Sequence, residues 1–222
     1  MMGTVDSPQP VPQPGAVTFI TTEHFTLQGA RAATIAEATG RATMFLGSVS
    51  GGLIALGLVA TATRLGGAFY AFCLTLLPLL TFVGTVSFER TLQSGIEDWG
   101  YARRIARLRA YYFDQAPELL AYMLSVPPTE RLPALGLHQN RWQGWRSIAG
   151  MVAVITATLA GSTAALLAAI ASNHSLAAAI PAGAAIATAT VWMLMRRQTI
   201  VWTKANITPL NIDARTPNVS DD

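Results

Sequence analysis

From Ser147 to Met195 the chain contains no Asp, Glu, Lys or Arg. A helix needs about 20 mostly apolar residues to cross roughly 30 Å of hydrocarbon. The run is more than twice that length, so it must hold two spans and a break. ASNHS at 171–175 supplies the break, because Asn and Ser close turns on their own backbone. The first half of the chain repeats the arrangement. Residues 42–63, between Arg41 and Arg64, and residues 65–88, between Arg64 and Glu89, are also free of formal charge, with RLGG as the turn. The spans predicted are about 42–63, 66–88, 148–170 and 176–195.

Composition agrees. Charged residues make up 12% and hydrophobic ones 51% of the 222 residues, with mean hydropathy +0.39; a soluble domain carries about 25% charged residues. Backbone polar groups in lipid must be satisfied within the segment, which selects helices. The fold class expected is all-α: four transmembrane helices, arranged as two hairpins joined by a helical cytoplasmic connector. Residues 1–22 form a Pro/Gln-rich tail, since the prolines of DSPQPVPQPG lack the amide donor a helix needs. The start lacks the basic-then-apolar pattern of a signal peptide. Residues 23–88 hold an amphipathic lead-in and hairpin one, 89–146 the connector, 147–195 hairpin two, and 196–222 a cytoplasmic tail. Pro78 is expected to kink the second span and Pro181 to sit in the first turn or so of the fourth.

Arginine sets the orientation. The turns at 63–66 and 171–175 contain only Arg64, while the N-terminal flank, the connector and the C-terminal tail carry the rest of the basic residues. The positive-inside rule then places both termini and the connector in the cytoplasm of a multi-pass inner or plasma membrane protein. Trp142, Trp145, Trp192 and Trp202 flank the same span ends, where amphipathic rings settle at headgroup level. Arg41, Trp142, Trp145, Arg146, Trp192, Arg196 and Arg197 are the membrane-interface residues expected. The Ala- and Arg-rich usage suits a GC-rich bacterial genome.

The connector carries RRIARLR, with Arg103, Arg104, Arg107 and Arg109, followed by Tyr111, Tyr112 and Phe113. No Pro occurs between Pro78 and Pro117, so the second span should continue as one long helix to near Asp114. Tyr101, Ile105, Leu108 and Tyr112 then share a stripe, with the arginines beside it. That stripe either packs on the following segment PELLAYML or a neighbouring subunit, or lies on anionic lipid. Nucleic acid is not expected, because Glu97, Asp98, Asp114 and Glu118 repel phosphate. SGIEDWGYARRIARLRAYYFDQAPELLAYML, residues 94–124, resembles the connector of uncharacterised bacterial four-span integral membrane proteins, a likeness that covers both hairpins and brings no activity with it. A hairpin followed by cytosolic helices is also similar in shape to SLATT-type membrane effector domains.

Small residues recur on the spans. Ala149, Ala153, Ala157, Gly161, Ala165 and Ala169 follow at every fourth position. Ala179, Gly183 and Ala187 match them on the fourth span, and Gly47 and Gly51 on the first. Four residues advance 400°, so the line drifts by 40° each step. Lipid tails are as apolar as leucine, and close backbone approach across small side chains is what joins helices there. The stripe either packs span three on span four within one chain or builds a homo-oligomer.

Sites for chemistry are not evident. There is no phosphate loop, nucleophile elbow, zinc helix or dinucleotide fingerprint. Cys73 is the only cysteine, and His24, His138 and His174 lie far apart. Adjacent Glu97 and Asp98 point about 100° apart on a helix and read as solvated. No cofactor, no metal and no enzymatic activity is expected. The spans lack the buried charge that proton-coupled carriers retain. A self-associating or accessory membrane protein is expected, with the lipid bilayer, a second copy and a membrane or cytosolic protein as partners; the alternative is a passive channel or small-solute permease.

Overall fold

The computed structural model of the chain describes residues 14–115 and 144–207. The regular elements among them are four α-helices: α1 (Pro14–Thr63), α2 (Gly67–Gln115), α3 (Ile148–Ala171) and α4 (Leu176–Ile207). Each is long and apolar enough to cross a membrane, the architecture of a multi-pass membrane protein. The PELLAYML helix, the PPTERLP break, Trp142, His138 and both chain ends lie outside the described residues.

Two boundaries differ from those read in the sequence. Residues 14–22 are helix rather than tail. The proline run ends at Pro14, which takes the first helical position, where a missing amide costs nothing and the fixed φ already suits a helix. Pro181 lies inside α4, past the first turn that begins at Leu176, so the Ala177 carbonyl loses its donor. α2 runs through Pro78 unbroken to Gln115, close to the stop anticipated from Pro117. Both turns fall where expected, and each contains two non-glycine residues in the left-handed region: Arg64 and Leu65 in one, Asn173 and His174 in the other. Asn tolerates that conformation readily; for Leu65 it costs about 1–2 kcal/mol.

The 50 residues of α1 span about 75 Å at 1.5 Å each. Roughly half of that lies beyond the apolar segment 42–63. α2, with 49 residues, returns alongside it. Four contacts define the antiparallel register: Gly52 against Leu76 and Leu80, Phe45 against Gly84, Arg31 on Asp98, and His24 near Arg109. His24, Arg31, Phe45 and Gly52 are separated by multiples of seven, the repeat of a coiled-coil seam. Buried positions on α1 (Leu27, Thr34, Ala38, Ala42, Phe45, Gly52) and on α2 (Cys73, Leu77, Leu80, Gly84, Phe88, Thr91) mostly advance by three or four. Hairpin one is therefore one continuous two-helix seam. Within the span it is closed by phenylalanine and leucine. Beyond the span buried Leu27, Leu92, Ala102 and Ile105 are joined by Thr34, Thr91, Ser94 and an ion pair.

Hairpin two joins it chiefly through α3 on α2; α1 and α4 each touch the opposite hairpin only marginally, and their backbones do not meet. The centre is filled by Phe45, Phe88, Val152 and Thr156, all essentially inaccessible. Gly84 makes this convergence fit. A Cβ there would collide with Thr156 Oγ1 of α3 and stand 2.8 Å from the Phe45 ring of α1. The Thr156 hydroxyl, far from water, donates to the Val152 carbonyl at 2.7 Å.

Candidate functional site

Because α1 and α4 do not close on each other, a cavity of about 190 Å³ opens at the end of the bundle where the paired stalk of α1 and α2 leaves the apolar segments. All four helices line it. α1 contributes Thr34, Ile35 and Ala38, and α2 contributes residues from Thr91 to Asp98. α3 brings its first turn, Ser147 to Ala149, and α4 brings Gln198 and Trp202.

Local structure explains how the polar groups arrive there. Ser147 is the N-cap of α3: its Oγ accepts from the Gly150 amide at 3.0 Å and donates to the Gly144 carbonyl at 2.6 Å. Gln198 reaches across from α4, its Nε2 donating to Gly144 O and Ser147 Oγ, both at 3.3 Å. The carbonyl at Gly144 accepts only, so this contact fixes which end of the amide is nitrogen. Gln198 Oε1 is thereby left without a donor, in a residue only 5% exposed. Thr91, also 5% exposed, has a hydroxyl with no partner. Other threonines on these helices bond the carbonyl four residues back, as Thr81, Thr85 and Thr156 do. The charge at the rim is internally balanced. Arg31 Nε lies 2.7 Å from Asp98 Oδ1 and its Nη2 3.4 Å from Oδ2, both side chains being mostly covered. Arg197 pairs likewise with Glu89.

The residues singled out in the sequence fall into three places. In the small-residue line, Ala149, Ala153, Ala157 and Gly161 are buried, and Ala165 and Ala169 are partly so. Gly161 and Gly183 meet backbone to backbone: a Cβ on Gly161 would stand 2.7 Å from Ala187 Cβ and from the Gly183 carbonyl, and one on Gly183 would stand 2.8 Å from Ala165 Cβ. The α3 line is thus used within the chain against Gly183 and Ala187, and Ala179 is buried too. Gly47 and Gly51 have nothing within 4 Å, and it is the neighbouring Gly52 that packs on α2.

Of the interface residues, Arg196 stacks over Trp192 at 5.3 Å, Arg41 pairs with Glu37 at 2.9 Å, and Trp145 and Arg146 are exposed. On the basic stretch Arg104 and Arg107 are exposed and Arg103 and Arg109 half-buried. The stripe beside them is partly confirmed: Ile105 is buried, and Tyr101 and Leu108 are half-buried. α1 runs alongside this segment, a neighbour not considered in the sequence. Asp98 is not simply solvated, as its pairing with Glu97 suggested, because Arg31 takes it across the stalk; Glu97 remains exposed.

At the stalk's far end His24 Nε2 lies 3.1 Å from Gln28 Nε2. Burial, and then the positive charge of Arg109, hold His24 below its usual imidazole value. At the opposite end of the bundle the Tyr70 hydroxyl lies 3.4 Å from His174 Nδ1, joining the two turns. No group of His, Cys, Asp and Glu able to hold a metal ion occurs among the described residues.

The cavity was missed because Thr91, Ser94, Asp98, Ser147 and Gln198 come from three separate stretches, none polar enough to stand out. The available signal was the step from Phe88 to Thr91, Ser94 and Asp98, which continues a helix face while changing it from apolar to polar. No protein-family model matches this chain, and no curated protein or solved structure matches it.

Proposed function

We propose that the chain is a non-enzymatic membrane protein that acts by self-association or as an accessory subunit in a cell membrane, with its termini, stalk and connector on the cytoplasmic side. The described basic residues other than Arg64, gathered toward the stalk end, support that orientation. One observation carries the association. Gly161 and Gly183 are consumed inside hairpin two, whereas a Cβ on Gly47 or Gly51 of α1 would meet nothing within 4 Å among the described residues. Met44, Ile54 and Leu58 are exposed on the same helix. Small residues that face outward in a bilayer offer close backbone approach to a second helix. The filled centre of the bundle favours this role over a passive pore through a single chain.

The test is in-membrane crosslinking of the full chain. A Gly47→Leu, Gly51→Leu double variant should lose crosslinked dimer while keeping expression and topology, and undiminished dimer would refute α1 as the contact. Topology is read separately in a Cys73→Ala background. Cysteines at Gly66 and Ser172 should react with an impermeant maleimide from outside, and cysteines at Arg109 and Asn206 only after permeabilisation.

A further inference from the structure

We infer that the junction cavity is a binding site for a small uncharged polyol head, carried by a neutral glycerolipid or free in solution. Three features of the cavity define that chemistry. Its polar wall asks for a donor: Gln198 Oε1 has none, and the Thr91 hydroxyl has neither donor nor acceptor opposite it. Both residues are more than nine-tenths buried, and both line the cavity. The unpaired Gln198 Oε1 cannot be traced to a misplaced amide, since Gln198 Nε2 is fixed by the Gly144 carbonyl.

The second feature is charge. The ionised groups at the rim, Arg31 and Asp98, neutralise each other through two contacts. A phosphate or an ammonium would find no free countercharge there, whereas hydroxyl groups, donating and accepting together, suit an amide oxygen beside a threonine.

The third is size and depth. About 190 Å³ is well above the roughly 10–15 Å³ that a single water needs on the same measure, room enough for a three-carbon polyol. The cavity lies where the helices pass from apolar to polar sequence, the level of a lipid glycerol. Ile35, Leu92, Ile148 and Trp202 form its apolar wall, and its α1–α4 side is not closed by helix packing. An acyl chain attached to the head can leave along that side.

The experiment uses the full chain in an amine-oxide detergent, which has no hydroxyl groups to compete, with 1-monooleoylglycerol and free glycerol as probes. Retained monooleoylglycerol is counted by native mass spectrometry. Wild type should bind one molecule saturably. Thr91→Val should weaken binding about fivefold, the loss of one neutral hydrogen bond. Ala38→Leu, which fills the cavity from α1, should abolish it. In the absence of ligand Thr91→Val should melt no lower than wild type, because it removes a hydroxyl that has no partner. Glycerol that displaces the lipid identifies the head alone as ligand; glycerol that does not, beside bound lipid, identifies a lipid-borne head. The proposal is overturned if neither probe binds saturably, if wild type and both variants bind alike, or if Thr91→Val melts below wild type.

Discussion

Replacing Gly161 by Ala places a methyl where the α3–α4 contact has no room for one. The new Cβ lies 2.7 Å from Ala187 Cβ and 2.7 Å from the Gly183 carbonyl oxygen, against about 3.5–4.0 Å for relaxed carbon contacts. One of the obstacles is backbone, so no side chain can swing aside, and the helices must part by about 1 Å. A gap of that size forfeits about a quarter to a half of each contact's attraction. The overpacking cost is about 1–3 kcal/mol, offset in part by alanine's better helix propensity. For a chain of this length that lowers the melting temperature by about 2–12 °C.

Gly183→Ala strikes the same contact from the other side, against Ala165 Cβ and the Gly161 carbonyl. Once the helices have parted for one methyl the second is cheaper, so the double variant should cost less than the sum. Gly57→Ala is the control, since its methyl meets no atom within 4 Å. Cys73, the only cysteine and 3% exposed, is a built-in reporter. Unfolding in detergent can be followed by its reaction with a fluorogenic maleimide. A Gly161→Ala protein that melts with or above the wild type would refute close packing at this point.

Two further outcomes concern the stalk. Asp98→Asn should destabilise by about 1–3 kcal/mol through the loss of a charge-assisted bond to Arg31, and exchanging the two as Arg31→Asp with Asp98→Arg should recover part of it; no recovery in thermal melts would mean that the pair does not couple the helices. His24 is held below its ordinary 6.5 by burial and then by Arg109. The unfolded stalk therefore takes up the proton first as pH falls, and stability declines from about pH 6.5 downward until the folded-state value is passed. Amide exchange of residues 14–41, corrected for intrinsic rate, should quicken between about pH 8 and about pH 5, less so in Arg109→Gln and not in His24→Gln. An equal response in all three would remove His24 as the cause.

Charge and hydropathy along the chain were enough to determine the number of membrane-length helices, the helix ends at the two turns, near Thr63, Gly67, Ala171 and Leu176, and the extension of α2 to near Pro117. These properties are one-dimensional: a bilayer penalises every charge in a span, and a turn needs its residues at one place in the chain. The faces are a different matter. A helix that is apolar all round carries almost no record of which side meets protein and which meets lipid. The pattern of small residues therefore picked out Gly47 and Gly51, which turn outward, and passed over Gly52 and Gly84, which hold α1, α2 and α3 together. Only docking decides between such neighbours, because a shift of one residue on α1 turns the contact by about 100°. The same holds for the Arg31–Asp98 pair and for the cavity, whose walls come from four helices and exist only when both hairpins are in register. The chain alone determined that it forms four helices long and apolar enough to cross a bilayer. Tertiary structure alone decided which glycines are spent inside, which face outward, and where the Thr91 hydroxyl and Gln198 Oε1 come to line one cavity without hydrogen-bond partners.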